Sequence, residues 1–337
     1  MKASNTSDET SKYALPASSL GNKIAFKSSK SVTSQTPIPA PTEIQIRQMT
    51  RSELDLCLQW AANEGWNPGL HDAEIFWVTD PQGFFVAEQD GQIIGTGSMV
   101  YYSPNLFFLG LFIVPPNLRG NGIGREMFSH WQSHMQQRLE LADDQSPKIG
   151  MDGVLAMQPF YKQGGFRLEH QQTRHSIMTG AWTKLNPNES VCTRDVAELP
   201  FEQVLEFDRL HFGVRRSTFL RQWLQPKDGW TRCVVGADGQ ITALGTIRRA
   251  TKGWRIGPLF ATGREAADLL LRDLCNRVNQ LRSDVVYLDV PQANSDAVAL
   301  VKKYQMSPEF TCGRMYCGPA PTLPWQQIFG VTSLELG

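Results

Sequence analysis

Residues 119–124 read Arg-Gly-Asn-Gly-Ile-Gly, between a run with the pattern of a buried strand, Leu109 to Val114, and one with the pattern of a helix from Ile123. Glycine lacks a Cβ and tolerates positive φ, so such a turn can aim successive backbone N–H groups at an anion seated on the N-terminus of the following helix. Phosphate is the natural anion for that arrangement. Two other readings stand beside it. A nucleotide turn of another class would need the Gly-Lys-Ser/Thr of a P-loop or the GxGxxG spacing of a dinucleotide fold, and this stretch has GxGxG and neither. A purely structural tight turn would need the glycines and nothing more. One helix and one strand further on, Tyr161-Lys162-Gln163-Gly164-Gly165-Phe166 places a phenol beside a further glycine pair.

The elements that must position these residues are legible from periodicity. "EIQIRQM" from Glu43 alternates as a strand, and Thr50 with Glu53 has the form of a capping box opening a helix that runs through Trp60. "GFFVAEQDGQIIGTGSMVYYS" reads as two strands around Asp90-Gly91. Leu106 to Val114 is apolar on both faces, hence central in a sheet. Ile123, Met127, Trp131, Met135 and Leu139 line one face of the helix after the turn. "KIGMDGVLAM" is a strand, "QPFYKQGGF" a short helix closed at Gly164-Gly165, and "RLEHQQTRHSIMTG" a final pair of strands. The layout is mixed α/β on a central sheet.

At 337 residues the chain exceeds one ordinary core, and its second half repeats the order of elements: helix "FEQVLEFDRLHFG", a hairpin at Asp238-Gly239, strand "GWRIGPLFA", helix "REAADLLLRDLCNRVNQL", strand "DVVYLDV", helix "SDAVALVKKY". We expect a Ser/Thr/Pro-rich tail over 1–42, a first domain over 43–183, a linker over 184–190 around Asn186-Pro187-Asn188, and a second domain over 191–337. Lys plus Arg and Asp plus Glu number 33 each, so no overall field draws the chain to nucleic acid or an anionic membrane. No apolar run is long enough to span a bilayer. The six cysteines show no CxxC pair, which suggests no zinc site, no disulfide framework and a reducing, cytoplasmic compartment. A transit peptide is the alternative reading of the tail, although such segments are usually Arg-rich and poor in acids and this one has no Arg and carries Asp8 and Glu9.

The stretch Val114-Pro115-Pro116-Asn117-Leu118-Arg119-Gly120-Asn121-Gly122-Ile123-Gly124 resembles motif A of the GNAT superfamily of acyl-CoA N-acyltransferases, with Arg119, Gly122 and Gly124 at its Arg/Gln-x-x-Gly-x-Gly/Ala core. Tyr161 to Phe166 resembles the family's downstream Tyr-x-x-x-Gly-Phe. The resemblance implies two tandem GNAT-like domains, each a mostly antiparallel sheet flanked by helices. It implies that Arg119, Gly120, Asn121, Gly122, Ile123 and Gly124 hold the pyrophosphate of acetyl-CoA, and that Phe112, Ile113 and Val114 lie along its pantetheine arm where the strands splay. Tyr161 would then give a proton to the leaving thiolate, and a backbone N–H of the fourth strand would stabilise the oxyanion.

For the base, Glu64 and Asp152 are candidates, with Asp72 beside them, although deprotonation through water and a solvated or capping role for each carboxylate stay open. Trp66, Asn67 and Asp72 stand where the family shapes its acceptor pocket. In the second half, "NSDAVALVKKYQM" starts like the family's last helix, but Val301 occupies the tyrosine position and Gln305-Met306 the Gly-Phe position, and no Arg-x-x-Gly-x-Gly follows "WRIGPLFA". That half is therefore expected to lack a complete acetyl-CoA site. Asp208, Arg216 and Arg248 are polar residues in apolar segments, with solvated surface as their default. The function implied is acetyl transfer from acetyl-CoA, without a metal, to a primary amine on a small molecule. A non-catalytic acyl-CoA sensor and a protein N-terminal or lysine acetyltransferase are the alternatives.

Overall fold

The computed structural model describes residues 43–103, 106–142, 147–181 and 193–337. The expected tail and the expected linker at Asn186-Pro187-Asn188 lie outside these residues. In chain order the elements of the first half are β1 (Gln45–Gln48), α1 (Arg51–Asn63), α2 (Asp72–Thr79), β2 (Phe84–Gln89), β3 (Gln92–Ser103), β4 (Leu106–Ile113), α3 (Ile123–Ala142), β5 (Lys148–Val154), α4 (Gln158–Gln163) and β6 (Arg167–Met178). The second half follows with β7 (Thr193–Asp195), α5 (Phe201–Phe212), α6 (Ser217–Trp223), β8 (Gly229–Val235), β9 (Ile241–Arg249), β10 (Trp254–Ala261), α7 (Arg264–Leu281), β11 (Val285–Pro291), α8 (Ser295–Lys303), β12 (Ser307–Cys317) and β13 (Ile328–Gly330). The mixed α/β architecture is as expected. One expected pair of strands differs: residues 167–178 form the single strand β6, because both of its edges find long partners in other elements.

All the described strands join one sheet, in the order β1-β2-β3-β4-β5-β12-β6-β11-β10-β9-β8-β7, with β13 paired to β10. Only β4 with β5 and β10 with β11 run parallel among the described pairs. The order contains an exchange. Strand β12 of the second half pairs with β5 of the first, from Cys312↔Val154 to Cys317↔Ile149, and β6 of the first half pairs with β11 of the second, from Val285↔Met178 to Pro291↔Gln172. Each half-sheet is closed by the last long strand of the other.

Helices cover both faces of this sheet. Along β2, Phe84 and Val86 point to one core and Phe85 and Ala87 to the other, the alternation that a pleated strand imposes. On one face the expected stripe of α3, Ile123, Met127, Trp131, Met135 and Leu139, is buried against Phe107, Leu109, Met151, Tyr161 and Phe166. On the other, Leu54, Cys57, Leu58 and Ala61 of α1 pack with Leu111 and Ile113, and with Phe219, Trp223 and Leu336 from the second half. Burying each Leu, Ile or Phe of this cluster contributes on the order of 1.5–3 kcal/mol, and with Phe219, Trp223 and Leu336 among its members the halves share a core as well as a sheet. The N-terminus of α1 is set by Glu53, whose Oε2 accepts the N–H of Thr50 at 2.7 Å.

Candidate functional site

The site begins where two parallel strands part. β4 pairs with β5 from Leu106↔Lys148 to Leu109↔Met151 and no further. At that point β4 carries an extra residue relative to β3, since Ser98 pairs Gly110 while Thr96 pairs Ile113, and Leu111 takes φ +52°. Such a bulge bends its strand. Thr96 Oγ1 steadies it by donating to the Leu111 carbonyl at 3.1 Å. Past the bulge the β5-facing edge of β4 has no strand partner among the described residues, and a cavity of about 480 Å³ opens there.

The glycine turn borders one end of this cavity. Gly120 and Gly122 adopt φ +84° and +86°, and a Cβ built on either would meet no atom within 4 Å, so the turn presents bare backbone to open space. Gly124 serves packing instead: its Cβ would lie 3.2 Å from the Phe112 ring. The turn leads into α3, 20 residues long, whose first amides have no intrahelical acceptor and carry the positive end of its dipole. These features fit a phosphate-holding turn, because nothing fills the cradle. Arg119 is pinned at its mouth, with Nε donating to the Val114 carbonyl at 2.8 Å and Nη2 to Glu64 Oε1 at 2.5 Å.

Most of the residues singled out from sequence share the cavity. Its walls include Phe112, Ile113, Val114, Arg119, Gly120, Gly122, Ile123, Gly124, Tyr161, Asp152, Glu64 and Trp66. Asn121 sits in the turn but folds back, its Nδ2 donating to the Leu118 carbonyl at 3.2 Å. Tyr161 is 4% exposed, and burial raises its phenol above the ordinary value of 10, which keeps it protonated and able to donate.

The carboxylates fare differently. Asp152 accepts from Arg314 Nε and Nη2 at 2.9 and 2.7 Å and from Gln172 Nε2 at 2.6 Å, so neither oxygen is idle. Burial raises its pKa even with the Arg314 guanidinium alongside. Asn67 and Asp72 lie outside the cavity lining. Asp72, 1% exposed, holds Arg248 through two bonds of 2.8 and 2.9 Å and accepts the Gly69 N–H at 2.8 Å. Its carboxyl is thereby held below the usual range: burial pushes it up, but the Arg248 charge and these hydrogen bonds outweigh that. Asn67, at φ +54°, bonds both the N–H and the carbonyl of Lys252. Both residues clamp the loop after α1 onto the second half.

Arg248, Asp208 and Arg216 overturn their default as solvated surface. Arg248 is 5% exposed, and the Arg216–Asp208 pair has both side chains fully buried, joined at 2.8 and 2.7 Å.

Three residues of the second half, Phe310, Leu334 and Glu335, also line the cavity. Sequence reading passed over them, since "SLEL" has no periodicity to flag; the one available signal was a carboxylate set between leucines. The second half's own version of the gap is filled. There β10 and β11 pair in parallel from Trp254↔Val286 to Ile256↔Leu288, and beyond that β10 takes β13, with Phe260 against Ile328 and Leu259 against Gly330. The Val331 N–H bonds the Asp289 carbonyl of β11 at 3.1 Å. A strand of the chain thus occupies the place that is hollow in the first half.

Two models of an acetyltransferase (GNAT) domain match, one over residues 80–168 and one over 204–330. A holothin acyltransferase of Pseudoalteromonas sp. (strain SANK 73390) is 27% identical over 285 residues, 85% of this chain and 92% of that one. Among solved structures, a Pyrococcus horikoshii protein superposes with TM-score 0.69 at 22% identity, covering 87% of this chain and 96% of its own. A tandem GNAT protein from the clavulanic acid biosynthesis pathway superposes with TM-score 0.57 at 14% identity, covering 82% and 100%.

Proposed function

Because this chain belongs to the GNAT acyltransferase family, with two GNAT domains in tandem, we propose that it transfers an acetyl group from acetyl-CoA to a primary amine on a small molecule, by direct attack at a single site. The observation that carries the reading is that the glycine turn, the unpaired edge of β4 and the phenol of Tyr161 all open into one cavity. The N–H groups of Gly120 to Gly124 and the guanidinium of Arg119 hold the pyrophosphate. The free edge from Gly110 to Val114 pairs with the amides of the pantetheine arm. An N–H of the bulge faces the acyl oxygen as charge develops on it, and Tyr161 gives its proton to sulfur.

A small acceptor is favoured by the far wall. Phe310, Leu334 and Glu335 of the second half line the cavity together with Trp66, whereas a protein acceptor would need an open groove. In this reading residues 43–183 hold the co-substrate and residues 191–337 supply a wall, with β13 filling the second gap. Among the described residues no helix is long and apolar enough to cross a membrane, and no group of three or more His, Cys, Asp or Glu side chains gathers as a metal site.

Isothermal titration of acetyl-CoA, followed by free-thiol release with a panel of amines, tests the proposal. Binding at one site per chain with thiol release is expected. Binding with no release would support the acyl-CoA sensor instead, and absence of binding would remove the co-substrate assignment.

A further inference from the structure

Among the described residues, a residue that lines the cavity has one carboxylate oxygen with no hydrogen-bond partner. Glu335 is 2% exposed; its Oε1 accepts from Arg255 Nη1 at 2.9 Å, while Oε2 is buried without a hydrogen-bond partner among the described residues. An ionised carboxylate can accept about four hydrogen bonds, and a buried one left short is disfavoured unless something else supplies them. Of the other carboxylates at the cavity, Asp152 has both oxygens bonded, by Arg314 and Gln172, and Glu64, whose Oε1 accepts from Arg119, is only half-buried and open to solvent.

The location of Glu335 adds a second constraint. A Cβ on Gly110 would fall 1.9 Å from the Glu335 carbonyl oxygen, so the Glu335 backbone lies against the bulge where β4 leaves β5. Its side chain is held from behind. Arg255 also bonds Asp289 Oδ2 at 2.9 Å and the Asn67 carbonyl at 3.1 Å. Arg174 bonds both oxygens of Asp289, at 2.7 and 2.9 Å, and the Trp66 carbonyl at 2.6 Å. Two guanidiniums thus face two carboxylates, and the same buried cluster fixes Glu335 and the Trp66 loop.

Resting on the reading of the cavity as an acetyl-CoA site, we propose that Glu335, supplied by the second half, is the catalytic base: its Oε2 holds the amino group of the acceptor and takes the proton that nitrogen loses. Trp66, Phe310 and Leu334 form the surrounding apolar wall, which selects a primary amine carried on a compact apolar body. The free-base nitrogen forms its bond to the acyl carbon and gives one proton to Oε2. The carbon–sulfur bond breaks with its electron pair on sulfur, which takes the phenol proton of Tyr161. Solvent returns the proton from Glu335 to Tyr161, leaving an amide and a free thiol.

Glu335→Gln keeps the size of the side chain and an acceptor for Arg255 while removing the charge. Acetyl-CoA affinity and acyl transfer are measured in the full chain, with phenethylamine, tryptamine and hexylamine as acceptor probes. We expect acetyl-CoA affinity within about twofold of wild type and a kcat lowered about 100-fold or more, the usual scale for losing a general base. Glu335→Asp restores the charge balance around Arg255 but draws the oxygen back, so it should fold as wild type and still lose about tenfold in kcat, which a purely structural ion pair would not. Wild-type kcat in both variants would overturn the proposal. So would wild-type protein that binds acetyl-CoA yet acylates none of the three amines, a result that leaves the co-substrate reading intact. Wild-type protein that fails to bind acetyl-CoA would overturn that reading and this proposal together.

Discussion

Replacing Gly122 by Trp separates the two jobs a glycine turn can do. The position has φ +86° and nothing within 4 Å of a built Cβ, so the substitution meets backbone strain but no clash. Placing an L-residue in left-handed backbone costs about 1–2 kcal/mol, which for a chain of this size lowers Tm by no more than about 6 °C. The indole would instead project into the space where the turn's amides face their anion. A hydrogen bond to a charged group contributes about 1.5–3 kcal/mol, so masking two amides removes about 3–6 kcal/mol and weakens acetyl-CoA binding by about a hundredfold to ten-thousandfold. Calorimetric titration beside a thermal melt reads both numbers. Gly122→Ala is the control, since it carries the strain without the bulk and should lose no more than about tenfold in affinity. Gly122→Trp protein that melts near wild type and keeps its affinity would refute the phosphate-holding role and leave the turn purely structural.

Tyr161→Phe should lower turnover about 100-fold with acetyl-CoA affinity unchanged, because only proton donation to sulfur is lost; stopped-flow thiol release alongside titration checks it, and unchanged turnover removes Tyr161 as the acid. Asp72→Ala strands Arg248 in an apolar setting and should destabilise by about 3–5 kcal/mol, read as a shifted urea midpoint; a change under about 1 kcal/mol would show that the clamp carries little. The Glu53 carboxyl is held down at about 2, against an ordinary 4.5, chiefly by hydrogen bonds from Arg47 that reach its two oxygens at 2.9 and 2.7 Å. A depressed carboxyl contributes its stability above the unfolded-state pKa and loses it as pH falls through the folded one. The stability gap between wild type and Glu53→Gln should therefore be full at pH 7, shrink below about 4.5 and close near 2, as urea titrations across that range would report.

The parts of the site that sequence discloses are those whose chemistry is local. Gly120 and Gly122 are forced by positive φ, and the apolar spacing from Ile123 to Leu139 is forced by the helix that follows, so the turn and its helix are legible without the rest of the chain. The exchange of β6 and β12 is not, because alternation along a strand records which face is buried and says nothing about which strand lies alongside. The same limit explains Asp208, Arg216 and Arg248. Their polarity reads as surface until the partners Asp208 and Asp72, brought from other elements, come into view. Glu335 was hidden for a further reason: its segment is too short for a periodic signal, and its meaning comes from Gly110 and Arg255, both distant in sequence. Asn67 and Asp72 follow α1, where the resemblance expects an acceptor pocket; the bonds they make to Lys252 and Arg248 of the second half are not legible from that place.

The traded strands also bear on how the chain is made. A ribosome releases β5 well before residues 307–317, so the first half emerges with the edge of β5 lacking its native neighbour β12 and with β6 lacking β11. An open strand edge is a template for wrong pairing, and the nearest one is β6 itself. For the native order, β12 has to arrive between β5 and β6. The proposed catalytic centre is therefore completed only once β12 has been synthesised, and a gene split between the halves would yield two polypeptides that must find each other to fold.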